Sequence, residues 1–176
     1  MIKEIVKKRR SIRKFKSDDV PLEKIKQIIE CARLAPSARN AQPYRFVVMS
    51  GDFKNRFADS VFSGVYSPCS FVKKAPVIIA IVKLKPTVVM KIGNAVSHND
   101  YSLIDIGIAG EHIVIAATEL GLGSLWVGWF NRDKANEVLK LKKDENVQIL
   151  IAIGEKDEDP EERKRKSFED ICEFKS

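Results

Sequence analysis

An unbroken apolar run following a lysine pair, "APVIIAIV" at residues 75–82, constrains the fold of this chain most. It is too short for an independent helix and rich in β-branched residues, so it predicts a strand. No polar residue alternates with the apolar ones, so that strand must be covered on both faces. "VQILIAIG", beginning at Val147, makes the same demand and predicts a second central strand over 147–153. A sheet covered twice needs helices on both sides, which gives a three-layer α/β/α sandwich.

The rest of the chain supplies the parts. "YRFVVM" (44–49) and "SLWVGWF" (124–130) read as two further strands, for four in all. Ile2, Ile5 and Val6 share one face of a short helix over 2–9, enough to dock it. Leu22, Ile25, Ile28, Ile29 and Ala32 recur at helical spacing between Pro21 and Pro36. "DFKNRFADSVF" is amphipathic, and "NRDKANEVLKL" is a helix with Asn131 as its N-cap. The stretch 101–121 is long, largely apolar and closed by glycine, so it predicts a buried helix. Gly107 and Gly110 within it are expected to admit another helix at close range. Residues 84–100 fit neither pattern. From Glu155 onward no hydrophobic period persists, and an arm lying on something else is expected. No linker or repeat divides the chain, so residues 1–176 read as one domain with 155–176 as its arm.

Composition excludes several classes. At 176 residues, 44% hydrophobic and 31% charged, the chain is neither disordered nor dependent on disulfides. Cys31, Cys69 and Cys172 form no CxxC pair, and His98 and His112 lack zinc-ligand spacing. No apolar run looks long enough for a membrane span and no signal peptide is visible, so a cytoplasmic protein without membrane attachment is expected. The net charge of +7 is concentrated in "KKRRSIRKFK" (7–16) and in "RKRK" (163–166), the latter after the acidic "DEDPEE". Neither cluster carries interleaved aromatics or a nucleic-acid-binding pattern, so recognition of a smaller anion is expected rather than of nucleic acid. No GxGxxG follows a strand, and "GLGSLWVG" lacks the lysine of a phosphate-binding loop.

Three segments remain that packing does not explain: Arg9-Arg10-Ser11-Ile12-Arg13, the elbow "APSARNAQPYRFVV" (35–48), and Arg163 to Lys166. Guanidinium forks match phosphate oxygens in charge and geometry, and a serine hydroxyl adds a donor, so the first and third could form a phosphate clamp. Asn40 and Gln42 bring amides that both donate to and accept from a heteroaromatic edge. Phosphate and polar ring together point to a nucleotide-like cofactor. Each segment also reads as a capped, solvated loop, and the aromatics of 124–130 also read as core.

"RRSIRKF", "APSARNAQPYRFVV", "ELGLGSLWVGWFN" and "RKRKSFEDI" occur in the order and at the positions found in the FMN-dependent nitroreductases, and over nearly its whole length the chain resembles a compact member of that family. The resemblance implies an α+β three-layer fold with a mixed, mostly antiparallel central sheet. It further implies an obligate homodimer that exchanges its C-terminal arms and holds one FMN in each of two interface sites. It puts Arg9, Arg10 and Ser11 on the FMN phosphate and ribityl chain and Arg13 near the pyrimidine end of the ring, where a cation stabilises the anionic reduced flavin. Pro36, Ser37, Ala38, Asn40 and Gln42 would reach the flavin from the other subunit, the prolines keeping the elbow rigid. Trp126, Val127, Gly128 and Trp129 would lie against one flavin face, glycine permitting close approach of a backbone amide. Arg163 and Arg165 would complete the phosphate site. "VYSPCSFVKKAP" has no clear counterpart in the family, and the short 84–100 region predicts an open site that His98, Asn99 and Tyr101 could line.

The implied activity is transfer of hydride from NADH or NADPH, through FMN, to an electron-poor acceptor such as a nitroaromatic or quinone, in a ping-pong sequence with no catalytic side chain and no metal. Alternatives with the same motifs are reductive dehalogenation, flavin breakdown and non-catalytic FMN binding. A basic nucleic-acid binder is a further alternative from composition.

Overall fold

The computed structural model describes residues 2–85 and 87–175. Four strands, β1 (Tyr44–Ser50), β2 (Val77–Lys83), β3 (Gly123–Val127) and β4 (Asn146–Gly154), form one sheet in the order β1-β2-β4-β3. Every neighbouring pair is antiparallel. Among the described residues, parallel pairing outside these strands is confined to one bridge, between Ser11 and Ser124. The unbroken apolar run and the apolar 149–153 stretch lie in the two central strands, as predicted.

β2 is buried at every position but Lys83. Its odd-numbered residues Val77, Ile79 and Ile81 pack with α2 (Leu22–Arg33) and α5 (Tyr101–Glu119) through Ile25, Ile28, Ile106 and Ile113. Ile78, Ala80 and Val82 face the other layer, made by α3 (Gly51–Val61), 3₁₀ turns over Gly64–Lys74, and α6 (Arg132–Val138). Each fully buried isoleucine contributes about 1.5–3 kcal/mol, so this two-sided burial is the main cohesive force. Asn131 caps α6 as expected, its side chain accepting from Lys134 N at 3.0 Å.

Several expectations are corrected. α5 is long and apolar enough, by length and composition, to cross a membrane, and half of that stretch is buried against the rest of the chain. Its apolarity is therefore spent on the core. Gly110 receives the Trp126 indole, not another helix: a Cβ there would lie 2.2 Å from the far edge of that ring, whereas one on Gly107 would meet nothing within 4 Å. β3 stops at Val127, three residues short of the predicted end. Helix α1 (Ile2–Lys8) forms beside α5 with Ile5 partly buried, but Ile2 and Val6 remain 75% and 53% exposed, so its apolar face is only partly covered by the described residues. The ambiguous stretch contains α4 (Val88–Ser97), whose N-cap Thr87 accepts from Met90 N at 3.3 Å. Val88, Ile92 and Val96 form an exposed stripe on it.

The N-terminal segment after α1 is not free loop. Ile12 and Phe15 are buried, Ile12 N donates to Ser124 O, and Lys16 N donates to Glu155 O, both at 3.0 Å. Gly123 and Gly154, opposite each other on β3 and β4, make this seat. A Cβ on Gly123 would stand 2.9 Å from Ile12 Cγ1, and one on Gly154 would stand 2.5 Å from Pro76 Cδ and 3.1 Å from Phe15 Cδ1. Neither the proline ring nor the phenyl can yield easily. Gly154→Ala should accordingly lower the unfolding free energy by about 1–3 kcal/mol in a urea titration, as overpacked cores do. An unchanged midpoint would show that the seat tolerates a side chain.

Candidate functional site

The seat brings the two ends of the chain together. Arg9, Arg10, Ser11 and Arg13 share one cavity of about 220 Å³ with Arg163 and Arg165, its wall completed by Pro160 and Glu161. Segments 150 residues apart in sequence thus converge in the way the clamp requires. The registration is enforced from both sides: Asp157 N donates to Lys14 O at 3.0 Å, and the Glu158 carboxylate accepts from Lys14 N at 3.1 Å and from Arg13 N. Arg10 donates to the carbonyls of Lys7 and Arg9, which fixes the base of its guanidinium. Its outer nitrogen stands 3.8 Å from Glu162, whose side chain is 74% exposed. So exposed a pair is worth at most about 1 kcal/mol, and a better-placed anion would displace it. Among the described residues, Arg9, Arg13, Arg163 and Arg165 form no salt bridge.

Such a density of guanidinium groups repels itself unless an anion enters. The donor set suits a phosphate: planar forks and one hydroxyl, all reaching a concave wall. The volume sets a limit. Pockets that enclose whole drug-sized ligands run to about 300–1,000 Å³, so this cavity suits the phosphate end of a nucleotide rather than its ring system.

The elbow lies apart from this cavity. Ser37 is extended, and a 3₁₀ turn follows over Ala38–Asn40. Arg39, Asn40 and Gln42 all have positive φ, at 54°, 53° and 44°. Non-glycine residues in such positions cost about 1–3 kcal/mol each and persist only when the surroundings over-determine them. Here Ser37 Oγ accepts from Gln42 N at 3.0 Å, and Gln42 Nε2 donates to Asn40 Oδ1 at 3.2 Å. From outside the elbow, Asp105 Oδ1 on α5 accepts from Ala38 N at 3.0 Å. Pro36 and Pro43 flank the turn but do not form it. The side chains expected to read a ring edge are partly turned on one another, leaving Asn40 and Gln42 exposed at the tip.

Ala38 and Arg39 line a mainly apolar cavity of about 290 Å³ with Met90, Gly93 and Asn94 of α4 and Tyr101 of α5. Tyr101 therefore stands where the sequence suggested, while His98 and Asn99 are not among the lining residues. The α4 wall is tied to the sheet by Asp100, which pairs with Lys83 of β2 and accepts from Ser102 N at 3.1 Å. Burial pushes the Asp100 carboxyl up, but the Lys83 hydrogen bond and charge, with the bonds from Ser102, outweigh it and hold the group below its ordinary value.

The β3 exit divides its four candidates. Val127 is buried in the core, and the half-buried Trp126 ring packs over Gly110, so both side chains serve packing. Gly128 and Trp129 are exposed; Trp129 Nε1 donates to Val65 O at 3.2 Å, and its ring tilts against Tyr66 at 5.3 Å. A Cβ on Gly128 would meet only Ile149 Cδ1, at an ordinary 3.6 Å. Internal packing therefore does not demand glycine there.

Sequence reasoning missed Arg39, Met90, Asn94, Asp105, Glu158 and Glu162. Arg39 had a signal in lying beside Ala38 and Asn40; the others become relevant only through pairings more than 60 residues distant in the chain or through a helix with no polar pattern.

A sequence model described as the Nitroreductase family matches residues 6–67 and 66–155. A relative from Methanothermobacter thermautotrophicus, provisionally named an NADH dehydrogenase/NAD(P)H nitroreductase, is 35% identical over 125 residues, 71% of this chain and 59% of its own length. The chain thus spans less than two thirds of that relative. The crystal structure of a nitroreductase family protein from Clostridium novyi NT superposes with a TM-score of 0.77 at 34% identity, covering 89% of this chain and 85% of the other. An FMN-dependent nitroreductase from Clostridium difficile R20291 also gives 0.77, at 30% identity and 98% coverage of both chains.

The Lys83–Asp100 tie is testable by pH. A carboxyl held below its ordinary value contributes stability that is complete above that value and lost as pH falls through the depressed one. Asp100→Asn should cost roughly 1 kcal/mol at neutral pH after solvent screening, steady down to about pH 5, and the deficit should shrink below about pH 4. Denaturant titrations of both proteins across that range check it.

Proposed function

The chain belongs to the nitroreductase family, and from that premise we propose that it is an FMN-dependent oxidoreductase that passes electrons from NADH or NADPH to an electron-poor acceptor such as a nitroaromatic or quinone. The observation that carries the proposal is the convergence of Arg9, Arg10, Ser11 and Arg13 with Arg163 and Arg165 around one cavity. The name of the Clostridium difficile neighbour supplies the identity of the cofactor, and that of the Methanothermobacter relative supplies the donor.

When bound, FMN supplies two-electron exchange, accepting from NAD(P)H in one half-reaction and giving to the acceptor in the next. The arginines and Ser11 would hold the phosphate end. Arg13, which lines the same cavity, would supply a positive charge that favours the reduced, anionic form of the flavin. Gly128, exposed and without a Cβ, would allow close approach of its backbone N–H to the flavin. No acid or base need be supplied by a side chain.

A second copy completes the site in this reading. The phosphate cavity is too small for the ring, and the elbow lines a different cavity of its own chain. Apolar side chains lie exposed where a partner would cover them: Ile2 and Val6 on α1, Leu103 and Ile104 on α5, and Phe168, Ile171 and Phe174 on the arm. The arm, 155–176, starts pinned to the N-terminal segment and ends with these three residues uncovered, which supports its exchange onto a partner domain. The chain, 1–176, then acts as one domain within a homodimer.

The purified protein should be yellow or become so with added FMN, and NADH or NADPH should bleach it without oxygen. A colourless protein that declines FMN overturns the proposal. Arg10→Ala with Arg165→Ala should weaken FMN binding by about a hundredfold or more, since hydrogen bonds to charged groups are worth about 1.5–3 kcal/mol each. Affinity from fluorescence quenching decides it, and it should fall with added salt. Phe168→Ser with Phe174→Ser should shift the sedimentation coefficient from dimer toward monomer.

A further inference from the structure

Beneath the elbow lies a set of polar groups that neither packing nor the phosphate site explains. Asp105 is 3% exposed in the second turn of α5, Ser102 one turn before it is fully buried, and Tyr44 at the start of β1 is 8% exposed. Asp105 Oδ1 accepts from Ala38 N, but its Oδ2, Ser102 Oγ and Tyr44 Oη have no partner among the described residues. The three belong to one neighbourhood: Ser102 and Asp105 are i, i+3 on α5, and burial, aided by the Asp105 charge, pushes the Tyr44 phenol up.

A half-satisfied buried carboxylate is costly, and an apolar side chain of similar volume would serve the core better. Its presence is explained by the one bond it does make. That bond reaches the first residue of a turn that then passes through three left-handed, non-glycine conformations. Among the described residues, the other hydrogen bonds of 37–42 run within that turn, between Ser37, Ala38, Asn40, Ala41 and Gln42, apart from Tyr44 N at the start of β1, which donates to Gln42 O at 2.8 Å. These could move together as a unit. Among the described residues, Asp105 makes the one hydrogen bond that refers that unit to the rigid sheet-covering helix.

We propose that Asp105 is the positioning residue of the elbow: through the N–H of Ala38 it fixes where Arg39, Asn40 and Gln42 stand, and so sets the geometry with which the elbow meets its ligand. The FMN arm of the test below rests on the function proposed above; the exchange arm does not.

The experiment compares Asp105→Leu and Asp105→Asn with the unaltered protein, free of FMN and then with FMN itself as the probe. Leucine removes the acceptor while filling the space; asparagine keeps a carbonyl oxygen able to accept from Ala38 N. In Asp105→Leu, hydrogen exchange over residues 37–42 should quicken by about tenfold to a hundredfold, the equivalent of one charge-assisted hydrogen bond, while β2 and β4 keep their protection. FMN dissociation should rise by a similar factor, about tenfold or more, and the visible bands of the bound flavin should shift. Asp105→Asn should return elbow exchange to within about threefold of the original. Unchanged elbow exchange in Asp105→Leu overturns the proposal. So does loss of protection throughout the sheet, since Asp105 would then be structural only, and so does an Asp105→Asn protein as loose as Asp105→Leu. A loosened elbow with unaltered FMN affinity would sustain the anchor and overturn the elbow's part in the FMN site.

Discussion

The seat that Gly123 and Gly154 offer to Ile12 and Phe15 governs the rest of this molecule. Without it the arginines after α1 would belong to a solvated basic loop. With it, the backbone of 11–16 lies against the sheet edge, hydrogen-bonded to Ser124 and Glu155. The same two strands project the chain beyond Gly154 back along that segment, so that Lys156 and Asp157 are registered against Phe15 and Lys14. Two basic clusters that would otherwise repel each other are held together by apolar burial and backbone bonds, both indifferent to charge. Stability won in the core is thereby converted into a concentrated positive field.

That field is tempered locally. Glu158 accepts backbone N–H groups of Arg13 and Lys14, and Glu162 stands beside Arg10. Both contacts are exposed, but the first binds backbone N–H groups and so fixes the loop, whereas the second joins two side chains and is easily exchanged. The acidic run before the "RKRK" knot thus has two roles along five residues. Glu158 fixes the loop, and Glu162 is a weak internal anion at a place suited to a stronger one.

Much of the architecture could be read from residue pattern because one force dominates it. The uninterrupted runs of β2 and β4 could only be central strands, and Asn131 could only usefully be a cap. The four family motifs marked the arginines, the elbow and the β3 exit as places where packing is not the whole purpose, and the fold brings the arginines of both chain ends to one cavity. What could not be read depends on pairings across the fold. Nothing in "SLIDIGIAG" reveals that Asp105 faces Ala38, since a lone acid on an apolar helix looks like an error of pattern. Gly110 announced close packing but not its partner, and Trp126 came from another layer. α4 was unreadable for a different reason: Val88, Ile92 and Val96 are exposed, so its apolar residues point away from the core and mimic no standard amphipathic face.

The elbow and the arginine cavity reach their shapes by opposite routes, and the difference bears on how each can work. The cavity is assembled from long, mobile side chains on a fixed backbone, so it can close around an anion of approximate position. The elbow is a strained backbone whose Ser37, Asn40 and Gln42 are tied to one another, and it gains nothing from adjusting. Rigid groups lose little entropy on binding and discriminate by fit, whereas flexible cations supply affinity with less regard to shape. A ligand with a charged tail and a planar head would be held by the first and oriented by the second. The two lie in separate cavities of one chain, so in the proposed homodimer that division of labour would be completed by two copies facing each other, with the exposed apolar residues of α1, α5 and the arm as the surface that joins them.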